Sequence, residues 1–233
     1  MGLYDTVKKL FFPQGPEPAG TNKNACKKKR DPLPPASFLV IADLHLFLYE
    51  EMMELMDIME TEDYDGVIFL GDIYREDVKK IVGYARGKPC YYVVGNHDRM
   101  DQNEGIDGLE DIDGKTVECC GIRISGAGCA LRYKSGDWGM RTEEEMEEVM
   151  KKLGGTDILV SHESPYHLIY QNQSHGGFRA ITKFIKEKEP QIHLFGHYHE
   201  PMEKTLYQTE EICVYGYAMV TTNPFRIRYF NHM

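Results

Sequence analysis

The chain has 233 residues, 42% hydrophobic and 27% charged, a balance that excludes a disordered or fibrous protein and allows one well-buried domain with an appendage. Its apolar runs span only a few residues, so no membrane span is expected, and Met1 to Phe12 lacks the basic start and apolar core of a secretory signal. The net charge of −10 is unevenly placed: residues 1–36 carry +4 and the remainder −14, a field that disfavours extended nucleic acid as a partner.

The first twelve residues contain "YDTVKKLFF", which reads as a short amphipathic turn of helix. The start "MGLYDT" formally matches an N-myristoylation pattern, of a length that recurs by chance. Residues 13–36, rich in Pro, Gly and Lys and without apolar periodicity, mark the end of an N-terminal extension covering 1–36, ahead of a single domain at 37–233. From Ser37 strand and helix signals alternate. "FLVIA" (38–42), "GVIFLG" (66–71), "CYYVVG" (90–95), "DILVSH" (157–162) and "IHLFGH" (192–197) suit strands buried on both faces. Between them, Leu48, Met52, Leu55, Met56 and Met59 fall at helical spacing, as do Val78, Ile81, Val82 and Ala85. Met146, Val149, Met150 and Leu153 predict a further helix, opened by a capping box of Thr142 and Glu145 and closed near Gly154. Short alternating runs at 115–127 and 201–230 predict antiparallel strands. The six cysteines form no C-x-x-C pair and no regular framework, so reduced thiols in a cytoplasmic protein are expected, with Cys90 and Cys213 as core fillers.

Each of the five apolar runs ends in, or one residue short of, a polar cluster able to hold a metal: Asp43 and His45, then Asp72, then Asn96-His97-Asp98, then His162, then His197 and His199. One such ending means little. Five exceed what a fold requires, because buried Asp and His are costly unless paired or ligated. In an extended chain residues two apart point to one side, so His197 and His199 are expected to face one point beyond the strand. Open α/β sheets place their sites at the carboxyl ends of the strands, where these groups fall.

The ordered set D-x-H, G-D, G-N-H-D, a lone His and G-H-x-H resembles the calcineurin-like metallophosphoesterase family from about Phe38 to Phe230, and "SHESP" together with "GHYHEP" resembles its small, cap-less members. The resemblance implies an α/β sandwich of mixed sheets flanked by helices, with a dinuclear metal site at the carboxyl ends of the strands. By matched position, Asp43, His45 and His199 would hold one ion and Asn96, His162 and His197 the other, with Asp72 bridging. Neutral imidazoles with hard oxygens suit two divalent transition ions, Mn, Fe or Zn. Two ions about 3.5–4 Å apart can hold a bridging hydroxide for in-line attack on a phosphoryl group. The expected function is therefore hydrolysis of a small phosphodiester or phosphomonoester. In the family the His matching His97 contacts the phosphate or protonates the leaving group, and Asp98 is expected to orient its ring.

Arg99 and His175 are further substrate-binding candidates, as is Arg75, which stands where many relatives carry an acidic residue. That basic residue, with G-N-H-D in place of G-N-H-E, argues against the protein Ser/Thr phosphatase branch. A metal-dependent nuclease is the alternative, opposed by the acidic body and the lack of a basic, aromatic-interleaved strip. A non-catalytic scaffold of the same fold is a third reading, opposed by the complete set of seven ligands.

Overall fold

The computed structural model describes residues 30–46, 49–136, 138–166, 168 and 176–230, so the amphipathic start, the acylation pattern and nearly all of the extension lie outside the described residues. Strand β1 (Ser37–Ala42) shows why its sequence is apolar from Phe38 onward. Phe38, Val40 and Ala42 turn into a core shared with Ile124, Val160 and Leu194, whereas Leu39 and Ile41 turn the other way, to join Leu55, Met59 and Ile81. A strand covered on both faces has no polar side to show, and each fully buried side chain of this size contributes about 1.5–3 kcal/mol.

The chain continues through helix α1 (Tyr49–Thr61), β2 (Gly66–Phe69), α2 (Arg75–Tyr84), β3 (Cys90–Tyr92) and β4 (Leu109–Asp111). It then forms β5 (Thr116–Cys119), β6 (Ile122–Ala127), the short pair β7 (Ala130–Leu131) and β8 (Met140–Arg141), helix α3 (Glu143–Lys152), β9 (Ile158–Ser161), α4 (Arg179–Lys188) and β10 (Ile192–Phe195). Strands β11 (Met202–Leu206), β12 (Thr209–Cys213), β13 (Gly216–Thr222) and β14 (Phe225–Tyr229) complete it. Two six-stranded mixed sheets result, in the orders β14-β13-β1-β2-β3-β4 and β11-β12-β10-β9-β6-β5. Strands β1, β2, β3 and β4 run parallel in the first sheet, as do β6, β9, β10 and β12 in the second; antiparallel partners flank them. Helices α1 and α2 cover the outer face of the first sheet, and α3 and α4 that of the second. The expected strands, the three expected helices and the antiparallel segments are all present. Cys90 and Cys213 are buried core residues.

Helix α3 begins as its sequence says: the Thr142 hydroxyl accepts from Glu145 N–H and the Glu145 carboxylate accepts from Thr142 N–H. Helix α4 has no such local signal. Its first N–H groups, from Arg179 and Ala180, are taken by the Glu143 carboxylate of α3, a cap supplied across the fold. The last residues of the expected extension are folded onto the domain. Leu33 and Ala36 are buried, and the Thr222 hydroxyl donates to Pro34 O and accepts from Ala36 N–H. Among the described residues no helix is long and apolar enough to cross a membrane.

Where the parallel strands end, two glycines are required by close approach. A Cβ on Gly95 would lie 2.2 Å from Asp72 Oδ1 and 2.6 Å from His162 Cε1. One on Gly71, whose φ is +96°, would lie 2.4 Å from Gly95 N. Gly95→Ala is therefore expected to destabilise the fold by about 1–3 kcal/mol through overpacking, read by urea denaturation. Thr142→Ala should cost about 1 kcal/mol in the same assay, and a negligible loss would show that the capping box contributes nothing.

Candidate metal centre

The polar clusters meet at one seam, where the carboxyl ends of the parallel strands of both sheets come together. Asp43 follows β1, and a single 3-10 turn, Leu44–Leu46, carries His45. Asp72 follows β2, Asn96 to Asp98 follow β3, His162 follows β9, and His197 and His199 follow β10. The route taken by the last pair differs from the extended geometry expected. Beyond Phe195 the chain bends, with His197 at φ 68° and His199 at φ 57°. Asp43 (φ 59°) and Asp72 (φ 58°) share this left-handed conformation, which costs non-glycine residues on the order of 1–3 kcal/mol and concentrates at functional sites. The two histidines consequently face different neighbours: His197 lies 4.9 Å from the His162 ring and His199 5.6 Å from the His45 ring.

Hydrogen bonds across the seam fix the donor atoms. Asp43 Oδ2 accepts from His197 N–H at 2.9 Å, and Asp72 Oδ1 accepts from His97 N–H at 2.7 Å. His162 Nδ1 donates to Leu70 O at 2.7 Å, and His45 Nδ1 donates to Asp72 O at 3.2 Å, so both rings present an Nε2 lone pair to the seam. Burial holds His162 neutral, down to about 3. Its Nε2 lone pair therefore faces Asn96 Oδ1 at 2.9 Å, with Asp72 Oδ2 3.5 Å away, while Asn96 Nδ2 donates to Tyr133 Oη. Two acceptors so placed repel unless a cation sits beside them. Turning the Asn96 amide over would relieve that pair, but Asp43 Oδ1, Asp72 Oδ2 and His199 Nε2 are also buried without a hydrogen-bond partner. The first and last of these lie 3.5 Å apart. Donors about 2.1 Å from one ion are typically about 3–3.5 Å from each other. Donor atoms of His45, Asp72 and His97 lie within 4.8 Å of one another, as do those of Asp72, His162 and His197, so Asp72 belongs to both groups. The donors are nitrogen and oxygen only, and the residues present fit divalent transition ions.

Electrostatics point the same way. Burial, then repulsion from Asp43 and Asp98, pushes the Asp72 carboxyl well above its usual value. Burial alone would also raise Asp43, but His199, His162 and His197 prevail and hold it below. Burial and the adjacent His45 ring lower His97 to about 4. His199 rises, chiefly through its contact with Asp43. Two close carboxyl groups beside the His45, His97 and His162 rings, all three biased towards their neutral form, leave a site short of positive charge.

Asp98 does not act on the His97 ring as expected. Its buried carboxylate accepts N–H bonds from Asp72, Gly95 and Ile73 and one from Gln102 Nε2, so it ties the ends of β2 and β3 together. The His97 ring is instead stacked on His45, with centroids 4.5 Å apart, and His97 is exposed. Arg75 donates one of its N–H groups to Gln102 O. Arg99 faces Asp101 at 3.7 Å and lines a cleft of about 720 Å³ together with Met100, Arg132 and Trp138. His175 lies outside the described residues.

Three residues at the seam were not singled out from sequence. Glu163, fully buried, places Oε2 3.5 Å from His197 Nε2; its position directly after His162 was the available signal. Tyr133 holds Asn96, and Tyr215 packs 5.3 Å from the His199 ring; neither has a local signature.

Comparison with curated proteins finds no match for this sequence. Solved structures match in fold. TT1561 of Thermus thermophilus shares 12% identity at a TM-score of 0.62, over 83% of this chain and 97% of that one. The calcineurin-like phosphoesterase YfkN from Bacillus subtilis shares 13% at 0.51, over 82% and 85%. Phosphopantetheinyl hydrolase from Mycobacterium tuberculosis shares 10% at 0.53, over 78% and 90%. At such identities the likeness speaks for the fold alone. The calcineurin-like phosphoesterase family model matches residues 36–201, a span that holds every strand end described above, and the chain belongs to that family.

Proposed function

We propose that the protein is a two-metal phosphoesterase acting on a small phosphodiester or phosphomonoester. Asp43, His45 and His199 would hold one ion, and Asn96, His162 and His197 the other, with Asp72 shared. The observation that carries this reading is the buried confrontation of lone pairs at the seam, three of whose atoms have no hydrogen-bond partner. Bound ions of the Mn, Fe or Zn type supply Lewis-acid polarisation of the phosphoryl group and a nucleophilic water at neutral pH.

The protein groups do the rest. Leu70 O and Asp72 O fix the tautomers of His162 and His45, and Asp98 locks the two loops that carry Asp72 and Asn96. His97, exposed at the mouth, faces the substrate and gives a proton to the departing oxygen; an anionic phosphoryl group beside its ring opposes the effect of burial on that ring.

Metal analysis of protein purified without chelator should give close to two ions per chain, and Asn96→Ala close to one. A ratio near one in both proteins would eliminate the second site. A screen of phosphate mono- and diesters with the manganese-loaded protein should then find a hydrolysed class; no turnover of any ester by fully loaded protein would leave the scaffold reading. His97→Gln should retain its metals and lose rate steeply with leaving-group pKa, up to about 10²–10⁴-fold for alkoxides. A loss of equal size for nitrophenyl and alkyl esters would reassign His97 to phosphate binding.

A further inference from the structure

A phosphoryl group entering the seam approaches a protein of net charge −10, so a cation at the mouth that no carboxylate already neutralises would add to the attraction of the ions in the seam. The arginines nearest in sequence are poorly suited: Arg75 is bonded to Gln102 O, and Arg99 faces Asp101. Lys134, between β7 and β8, differs. Its ammonium lies 4.7 Å from the centroid of the Trp138 ring and 5.4 Å from that of Tyr133, and no carboxylate of the described residues forms an ion pair with it. The arrangement is inverted from the usual surface pattern, with Lys134 half-buried between two rings that are 42% and 40% exposed.

The segment that carries Lys134 is anchored to the metal centre at both ends. Tyr133 Oη accepts from Asn96 Nδ2 at 2.9 Å, and Gly139 N–H donates to Asp98 O at 2.8 Å. A Cβ on Gly139 would stand 2.0 Å from Gly95 O, so the segment lies directly against the G-N-H-D turn. Ring faces hold an ammonium without cancelling its charge. Such contacts are worth about 0.5–1 kcal/mol at exposed sites, less than the roughly 1.5–3 kcal/mol of a hydrogen bond to a charged group.

We propose that Lys134, pre-positioned by Tyr133 and Trp138, is the substrate-binding cation that receives the anionic phosphoryl oxygens at the mouth of the strand-end site. The inference rests on the phosphoesterase reading above. Its test uses inorganic phosphate as the probe, titrated into manganese-loaded protein by calorimetry and by the fluorescence of Trp138, the chain's one tryptophan. Lys134→Gln should keep its metal content and weaken phosphate binding by about tenfold or more, with a shallower dependence on salt. Lys134→Arg should restore most of the affinity, which a merely structural role in the loop would not predict. If wild type binds metal and phosphate and Lys134→Gln matches it, the assignment of Lys134 falls while the phosphoesterase reading stands. If loaded wild type binds no phosphate at all, both fall together.

Discussion

The structure turns on the crowding of like groups where two sheets meet. Strands from both sheets deliver carboxylates, imidazoles and an amide oxygen to one seam, and each group presents a lone pair or a negative charge to the others. Hydrogen bonds relieve part of this: Asp43 Oδ2 takes His197 N–H, and Leu70 O takes His162 Nδ1–H, each bond joining the end of a strand in one sheet to the end of a strand in the other. These same bonds direct the remaining lone pairs inward. The residual demand for positive charge is therefore a product of the fold, because the carbonyl that orients the His162 ring comes from the opposite sheet.

Holding such a seam needs a rigid frame. Asp43, Asp72, His197 and His199 all adopt a left-handed backbone, and Gly71 and Gly95 allow backbone and side chains to approach more closely than a Cβ permits. Local strain of this size persists only where the surroundings over-determine it. Here the strands before each turn are buried on both faces: β1 and β2 between the inter-sheet core and the covering helices, and β10 between that core and a small cluster of Phe195, Cys213 and Met202. Asp98 completes the frame. It was expected beside the His97 ring, yet a carboxylate with four N–H donors is worth more as a tie between loops than as a partner for an exposed ring.

A comparable division of labour appears away from the seam. Ser161, His193 and Glu211 are fully buried and bonded in series, His193 Nδ1 to Glu211 at 2.7 Å and Nε2 to the Ser161 hydroxyl at 2.8 Å. The Ser161 hydroxyl donates onward to Glu163 O, which shapes the turn that carries His162 and Glu163. The order resembles a nucleophilic triad, but complete burial and the engaged hydroxyl make it a brace for the ligand-bearing turn.

The sequence by itself determined the five apolar strands, the antiparallel strands of 115–127 and 201–230, three of the helices and the cap of α3, but not β4, β7 or β8, because apolar runs, helical periodicity and capping boxes act within a few residues. It also placed the polar clusters at the strand ends, since their spacing is set by where each apolar run stops. The tertiary structure decided what depends on groups far apart in the chain. The cap of α4 comes from Glu143 in another helix, Leu33 to Ala36 join the domain through Thr222, and Tyr133 reaches Asn96. His197 and His199 face different rings because the chain bends after Phe195, and nothing in "GHYH" announces that bend. Local pattern specifies what a segment can be, whereas hydrogen-bond satisfaction and charge at a shared seam are settled only when distant segments supply one another's partners.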